Sequence, residues 1–480
     1  MRASTLAQLA VGFVRIIRDR EKILPLRLVE RTIRDLLAQR DVLLESAGLL
    51  GTPQYFFDEF SLSSNLDRFH HAFSERLPRV RLFYAVKSNS FLGIARHVIQ
   101  KGHGLDVSSG HELSMALELG CERIIFSGPG KTDEELSLAL RSPDTVTLLL
   151  DSAGELERLA KLLGKTGGVR GPVRVGFRTR GFHHGLWEKK FGVSLDELPT
   201  LFQKAISTPG VQPEGIQFHT SWNMGPEAQV KMIRMIGSAI HKGLTEGAWP
   251  FLKFLDIGGG YWPESGEWLN PQNTSKGKLL QLFHPDYDFK LIHYHRPSKP
   301  IDHFAREIAA TLKSEGKPLS DLEIWTEPGR WISTPAMHVL LKVVDRKDRD
   351  VVITDGGINL LGWERPLSEF IPIINLTRPS LKERPLKIFG SLCTPLDIWG
   401  TSIFGEGAFP GDILLVPNQG AYTYSLRQSF IKPIARVIHY DGSSLQEVEL
   451  ETSHSAARPA RVKKSSSTPP RMRKEVKGNI

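Results

Sequence analysis

Arg81-Leu82-Phe83-Tyr84-Ala85-Val86, followed at once by Lys87-Ser88-Asn89, is a short apolar and aromatic run that stops on a polar triplet. Such a run reads as a buried strand. A lysine at its carboxyl end leaves the sheet where parallel αβ barrels place their chemistry. Taken alone, a lysine there is more often a solvated strand end, and the rest of the chain changes that balance. Seven further runs of the same kind follow: Gly104–Val107, Arg123–Phe126, Val146–Leu150, Val173–Phe177, Gly215–Phe218, Phe251–Ile257 and Leu322–Trp325. Helical periodicity follows most of them, over Gly110–Leu119, Asp133–Leu140, Ala153–Leu163, Glu227–His241 and Ile301–Leu312. Eight strand-helix units in about 250 residues are what a closed (β/α)8 TIM barrel requires, and an open doubly wound sheet would satisfy the same spacing.

The residues at or just after the strand ends are Lys87, Asp106, Ser127, Asp151, Arg178, His219, Gly258-Gly259-Gly260 and Glu327. One barrel mouth would thus collect an amine, carboxylates, an imidazole, a guanidinium and a bare-backbone turn. A single such residue is usually a cap or a packed polar group, but a whole set on one face is hard to explain as packing. Consecutive glycines expose backbone N–H groups that can converge on an anion, although glycine triplets also make ordinary tight turns.

Outward from the barrel, 480 residues exceed what one core usually holds, and an apolar fraction of 40% supplies more than one. Four regions are expected: an N-terminal helical segment over 1–50, the barrel over 51–335, an antiparallel β domain over 336–452 and a basic tail over 453–480. The second domain is read from strand-like runs at 337–345, 350–354, 386–390, 411–416 and 433–439, separated by Gly, Pro and Asp turns. Residues 261–300 form a Pro- and aromatic-rich insertion after the seventh strand. Cys121 and Cys393 lie too far apart in sequence to suggest a disulfide framework or metal spacing, which fits a reducing cytoplasm. Leu6 to Val14 runs into Arg15-Ile16-Ile17-Arg18 without a cleavage site and reads as an amphipathic helix, neither signal peptide nor membrane span. The net charge of +9 is concentrated in the tail, where eight Lys and Arg face Glu475 alone. No aromatic residue is interleaved with them to stack on bases, so the charge reads as a solvated tail and no nucleic-acid partner is expected.

In order and spacing these segments resemble the fold-type III pyridoxal-phosphate decarboxylases, the family of diaminopimelate, ornithine and arginine decarboxylases, from about residue 52 to 432. Tyr84-Ala85-Val86-Lys87 is similar to the family's cofactor-bearing lysine segment, and Asp106-Val107-Ser108-Ser109-Gly110-His111-Glu112-Leu113 to its second-strand segment. Asp256-Ile257-Gly258-Gly259-Gly260 and Glu327-Pro328-Gly329-Arg330 resemble the phosphate loop and the segment whose glutamate meets the pyridine nitrogen. Gly390-Ser391-Leu392-Cys393 and Gly420-Ala421-Tyr422 match second-domain motifs brought to the active site, the cysteine from a neighbouring subunit.

The resemblance implies pyridoxal 5'-phosphate as cofactor, a small amino-acid substrate and a homodimer with shared active sites. It casts Lys87 as the covalent anchor, His219 as the imidazole stacked on the ring and Cys393 as the proton donor to the α-carbon. Asp106, Ser221, Gly258, Gly259, Gly260, Glu327, Gly329, Arg330 and Tyr422 would bind the cofactor. Arg330, Arg365, Glu369, Thr394 and Tyr422 would bind the substrate. A buried structural thiol and a satisfied core histidine are the plainer readings of Cys393 and His219.

Thr354-Asp355-Gly356-Gly357-Ile358-Asn359 followed by Arg365-Pro366 resembles the diaminopimelate branch, and Arg365 suits a distal carboxylate. Three departures stand out. Thr394 replaces the glutamate of that branch, Glu369 replaces a tyrosine, and Trp222 replaces a phosphate-contacting serine, leaving Ser221 to take over. The resemblance implies removal of the α-carboxylate of meso-diaminopimelate, giving L-lysine, as the first reading; the departures suggest an altered pocket that would turn diaminopimelate over poorly, with ornithine, arginine, carboxylated polyamines or another larger substrate as the alternative. A racemase on this barrel would want tyrosine where Cys393 stands. A non-catalytic binding homologue would have no need of Lys87, Glu327 and Cys393 together.

Overall fold

The computed structural model describes residues 10, 14, 21–165, 171–180, 189–287, 289, 291–362 and 369–448. The expected N-terminal amphipathic helix, apart from Ala10 and Val14, the basic tail and Arg365 lie outside the described residues.

Eight parallel strands close into a barrel: β1 (Val80–Ala85), β2 (Gly104–Val107), β3 (Ile124–Phe126), β4 (Val146–Leu150), β5 (Val173–Arg178), β6 (Val211–Gln217), β7 (Phe254–Asp256) and β8 (Glu323–Thr326). Closure is made by β8, which pairs with β7 on one side and β1 on the other, so the open-sheet alternative is excluded. Helices pack around the outside through apolar stripes; Ala153–Lys165, for example, turns Leu156, Leu159 and Leu163 inward. Thr132 starts the helix Asp133–Ala139 with a capping box closed by Glu135. Inside the barrel Phe83, Ile125, Leu149, Phe254 and Trp325 form a separate buried cluster, with the Phe254 and Trp325 rings stacked 3.5 Å apart. This plug separates the mouth of the barrel from its amino end.

The second domain is built on a nine-stranded, mainly antiparallel sheet. Its order is Val351–Thr354, Pro379–Phe389, Ile398–Gly405, Ile374–Asn375, Ile413–Val416, Met337–Asp348, Gln54–Asp58, Arg436–Tyr440 and Leu445–Val448. One boundary read from the sequence is corrected here. The sequence expectation sets Gln54–Asp58 within the 51–335 barrel, yet the strand pairs with Met337–Asp348 on one side and Arg436–Tyr440 on the other. A five-residue, wholly buried strand has no preference for either sheet until its partners are known. The N-terminal segment is likewise not independent. Helices Leu26–Leu37 and Arg40–Leu50 bury Val29, Ile33 and Leu43 in one cluster with Phe56, Leu340, Phe370, Ile374 and Leu415. The 261–300 insertion contributes strands Glu267–Leu269 and Tyr294–Arg296, which with Lys22–Ile23 make a small antiparallel sheet.

Candidate active site

Lys87 sits in the single 3-10 turn Val86–Ser88 that ends β1, so its side chain leaves the barrel at the carboxyl edge. Parallel pairing sets Ala85 against Asp106 on β2, and Lys87 Nζ donates to Asp106 Oδ2 at 2.7 Å. Ser127, just past β3, donates to the other oxygen at 2.6 Å. Burial works against charge on Lys87, but the carboxylates of Asp106 and Glu327 outweigh it and hold the ammonium form above the ordinary lysine range. The same burial pushes Asp106 up to about 6 against the pull of Lys87, still below neutrality, so the pair is charged at pH 7.

Glu327 follows β8, tied back by its N–H to the Gly258 carbonyl at 2.9 Å. Its Oε1 accepts from Gln217 Nε2 at 3.0 Å, and its Oε2 lies 3.4 Å from His219 Nδ1. Asp256 faces Glu327 in full burial, with Oδ1 accepting from Gly258 N–H at 2.9 Å and Oδ2 without a hydrogen-bond partner. Two buried carboxyls side by side cannot both ionise, and the asymmetry of their neighbours decides which does. Burial and the adjacent Glu327 push Asp256 far up, whereas His219 and Lys87 overcome the burial of Glu327 and hold it below the usual carboxylate range. A protonated Asp256 turns its orphan oxygen into a donor toward the Glu327 anion. Burial lowers His219 while Glu327 opposes that shift, and its Nδ1 faces both the Gly259 N–H, at 3.2 Å, and the Glu327 carboxylate.

The glycine triplet is required by close approach. A Cβ at Gly258 would collide with the Phe218 carbonyl oxygen, at Gly259 with that of Glu327 and at Gly260 with that of Thr220. Gly258 and Gly260 also have left-handed φ values of +66° and +79°. At Gly329 a Cβ would stand 2.7 Å from the Cβ and Oγ of Ser88, so the turn opening Arg330–Ser333 presses directly on the lysine turn.

The second domain reaches this mouth through the loop Gln419–Tyr422. Tyr422, at φ +56°, donates its N–H to the Ser88 carbonyl at 2.7 Å, and Asn89 Nδ2 donates to the Gly420 carbonyl at 2.8 Å. The Arg330 guanidinium lies between two rings, 5.0 Å from the Tyr422 centroid and 4.2 Å from that of Trp262. Trp222 stacks on Trp262 with ring centroids 6.5 Å apart and is 63% exposed at φ +52°, an uncommon backbone conformation for a large side chain. Beyond Arg330 a cavity of about 80 Å³ is lined by Trp262, Glu267, Trp268, Glu369 and Phe370.

Of the expected residues the structure brings together Lys87, Asp106, Ser127, His219, Gly258, Gly259, Gly260, Glu327, Gly329, Arg330 and Tyr422, with Glu369 one cavity away. Ser221 is exposed beside them. Asp151 and Arg178 form their own pair, 3.9 Å apart. Cys393 is a free, exposed thiol on a turn organised by Asp397, which accepts from the N–H groups of Ile358 and Leu392; Thr394 belongs to the same turn. Sequence reading missed Gln217 and gave Asp256 no role of its own. The available signal was a polar residue at the end of each of two apolar strands that pair with one another, Gln217 against Asp256.

Residues 63–334 match the family model for the pyridoxal-dependent decarboxylase, pyridoxal binding domain. The chain belongs to the pyridoxal-dependent decarboxylases. Over 407 residues it is 28% identical to the diaminopimelate decarboxylase of Methanothermobacter thermautotrophicus, covering 81% of this chain and 86% of that one. It is 26% identical to the diaminopimelate decarboxylase of Vibrio cholerae over 432 residues, covering 85% and 92%. The solved diaminopimelate decarboxylase of M. jannaschii shares the fold, with a TM-score of 0.69 over 85% of this chain and 92% of that one at 23% identity. The decarboxylase uses pyridoxal phosphate, and the mouth fits that group on its own evidence. It offers an amine, an ionised buried carboxylate with its own proton-bearing neighbour, an imidazole beside that carboxylate and a backbone cradle with no room for side chains.

Proposed function

We propose that the enzyme removes the α-carboxylate of a diamino dicarboxylic acid, meso-diaminopimelate to L-lysine in the first instance. The observation that carries this is the convergence of the Lys87 amine and the Glu327 anion in one buried field at a barrel mouth, with Arg330 and Glu369 lining a single cavity beyond it. When bound, pyridoxal phosphate supplies a protonated ring, conjugated to the substrate amine, that takes up the electron pair left by departing carbon dioxide.

The chain's own groups then divide the work. Lys87 would hold the cofactor covalently. Glu327, kept anionic by His219 and by the proton on Asp256, would hold a proton at the ring nitrogen. His219 would face the ring, while Asp106 orients Lys87. Gly258, Gly259, Gly260, Ser221 and Gly329 would receive the phosphate, with Trp222 standing beside them. Tyr422 would close the pocket over the reacting carbon. At the far end Arg330 would meet the distal carboxylate and Glu369 the distal ammonium, a task that Thr394 cannot perform. A carboxylate at 369 thus offsets its loss at 394 and keeps a zwitterionic end acceptable.

Cys393, exposed within its own chain, returns the proton from a second copy. Exposed Leu396, Leu426, Phe430 and Ile431 on the same domain support burial of that surface in a homodimer. Among the described residues no helix is long and apolar enough to cross a membrane.

Carbon dioxide release is to be compared across meso-diaminopimelate, ornithine, arginine and a carboxylated polyamine. Highest kcat/KM on meso-diaminopimelate, abolished by Lys87→Ala, is expected. A preference for any substrate without a distal carboxylate would refute the assignment.

A further inference from the structure

The amino end of the barrel, sealed from the mouth by the Phe83, Ile125, Leu149, Phe254 and Trp325 plug, holds a cavity of about 390 Å³ that the decarboxylation chemistry does not use. It opens where β1, β2, β3 and β8 begin. Its lining includes His70, Arg79, Arg81, Lys101, His103 and Arg123, and Glu323 is its one acidic residue. Glu323 is already engaged: Arg81 grips it with both arms of its guanidinium, Nε at 2.6 Å and Nη2 at 2.8 Å. Lys101 reaches Asp67 at 2.9 Å at the rim, and Arg123 donates to the Gly102 carbonyl. The Arg79 guanidinium closes no hydrogen bond or ion pair among the described residues, so its donors are left for water or a ligand. The rings of His70 and His103 lie 4.9 Å apart.

We propose that this cavity is an anion-binding site for a compact phosphate ester, held by Arg79, Arg123 and Lys101 with the His70 and His103 rings as additional donors. Guanidinium forks suit phosphate oxygens, and the volume lies within the range of about 300–1,000 Å³ usual for small-molecule sites. The local balance is cationic. Against Arg79, Arg81, Lys101 and Arg123 stand Glu323 and Asp67, and the first of these is neutralised in place. Burial, then His70 and Arg123, hold His103 down at about 4, and burial lowers His70 although Asp67 opposes it. A dianion between the two rings would reverse the sign of the field and draw protons onto both. The site is reached from the opposite end of the barrel to the substrate, so occupancy leaves the mouth open and suits a regulatory or anchoring ligand.

The holoenzyme, whose own phosphate cradle is filled, is to be titrated with inorganic phosphate and, separately, citrate, while the histidine ring resonances are followed by NMR. Saturable movement of the His70 and His103 signals with phosphate, and an upward shift of their titration midpoints, is expected. Arg79→Gln and Arg123→Gln should each weaken phosphate by about tenfold or more, with carbon dioxide release and thermal midpoint unchanged. Absence of saturable shifts at millimolar phosphate, or wild-type affinity in both variants, would overturn the site. Citrate binding as tightly as phosphate would overturn its assignment to phosphate esters.

Discussion

Replacing Asp106 by asparagine removes one charge and almost no volume, so it isolates the electrostatic control of the Lys87 amine. At 2.7 Å and an effective dielectric of about 20, the pair is worth about 6 kcal/mol. Lys87 keeps 35% of its side chain exposed, so solvent screens much of that energy. A residual of about 2–3 kcal/mol corresponds to a fall of about 2 units in the lysine pKa. Glu327 remains to keep the variant's amine partly protonated. The assay is modification of the apo-protein with an amine-reactive reagent at a series of pH values, with the Lys87 peptide quantified by mass spectrometry. At pH 8 Asp106→Asn should react up to about a hundredfold faster than wild type, because the reactive free amine is that much more abundant. Since Asp106 itself takes up a proton near pH 6, the wild-type and variant profiles should separate above that pH and converge below it. Equal reactivity of the two proteins from pH 6 to 9 would show that the ion pair does not govern the amine.

Glu327→Gln should lower kcat by about a hundredfold or more with little change in KM, whereas Asp256→Asn, replacing a carboxyl already neutral, should stay within a few-fold of wild type in steady-state assays; comparable losses in both would invalidate the assigned proton positions. Gly259→Ala forces a Cβ onto the Glu327 carbonyl oxygen and should cost about 1–3 kcal/mol in denaturant unfolding, and an unchanged midpoint would show that the cradle relaxes freely. Glu155→Gln strands the ammonium of Lys131, whose ion pair at 2.9 Å is almost wholly buried, and should destabilise the fold by about 3 kcal/mol. If that variant unfolds like wild type, the carbonyls of Gly128 and Leu149 alone satisfy the lysine.

Sequence alone determined the eight barrel strands and the residues at their ends, because period and composition are local properties and a parallel barrel must carry its polar residues at one edge. Lys87, Asp106, His219, Glu327 and the glycine triplet were therefore legible as a set. Tyr422 and Arg330 were legible only through motif resemblance, since nothing local tells a second-domain loop which turn it will press against. Tertiary structure alone decided that Gln54–Asp58 belongs to the second sheet, because strand pairing is non-local and a fully buried strand carries no address. It also decided which of Asp256 and Glu327 bears the proton, since that depends on which carboxyl stands nearer Lys87 and His219. The basic cavity at the amino end had no sequence signal at all: its cations come from three separate strand starts, and only barrel closure converts scattered surface charges into one field.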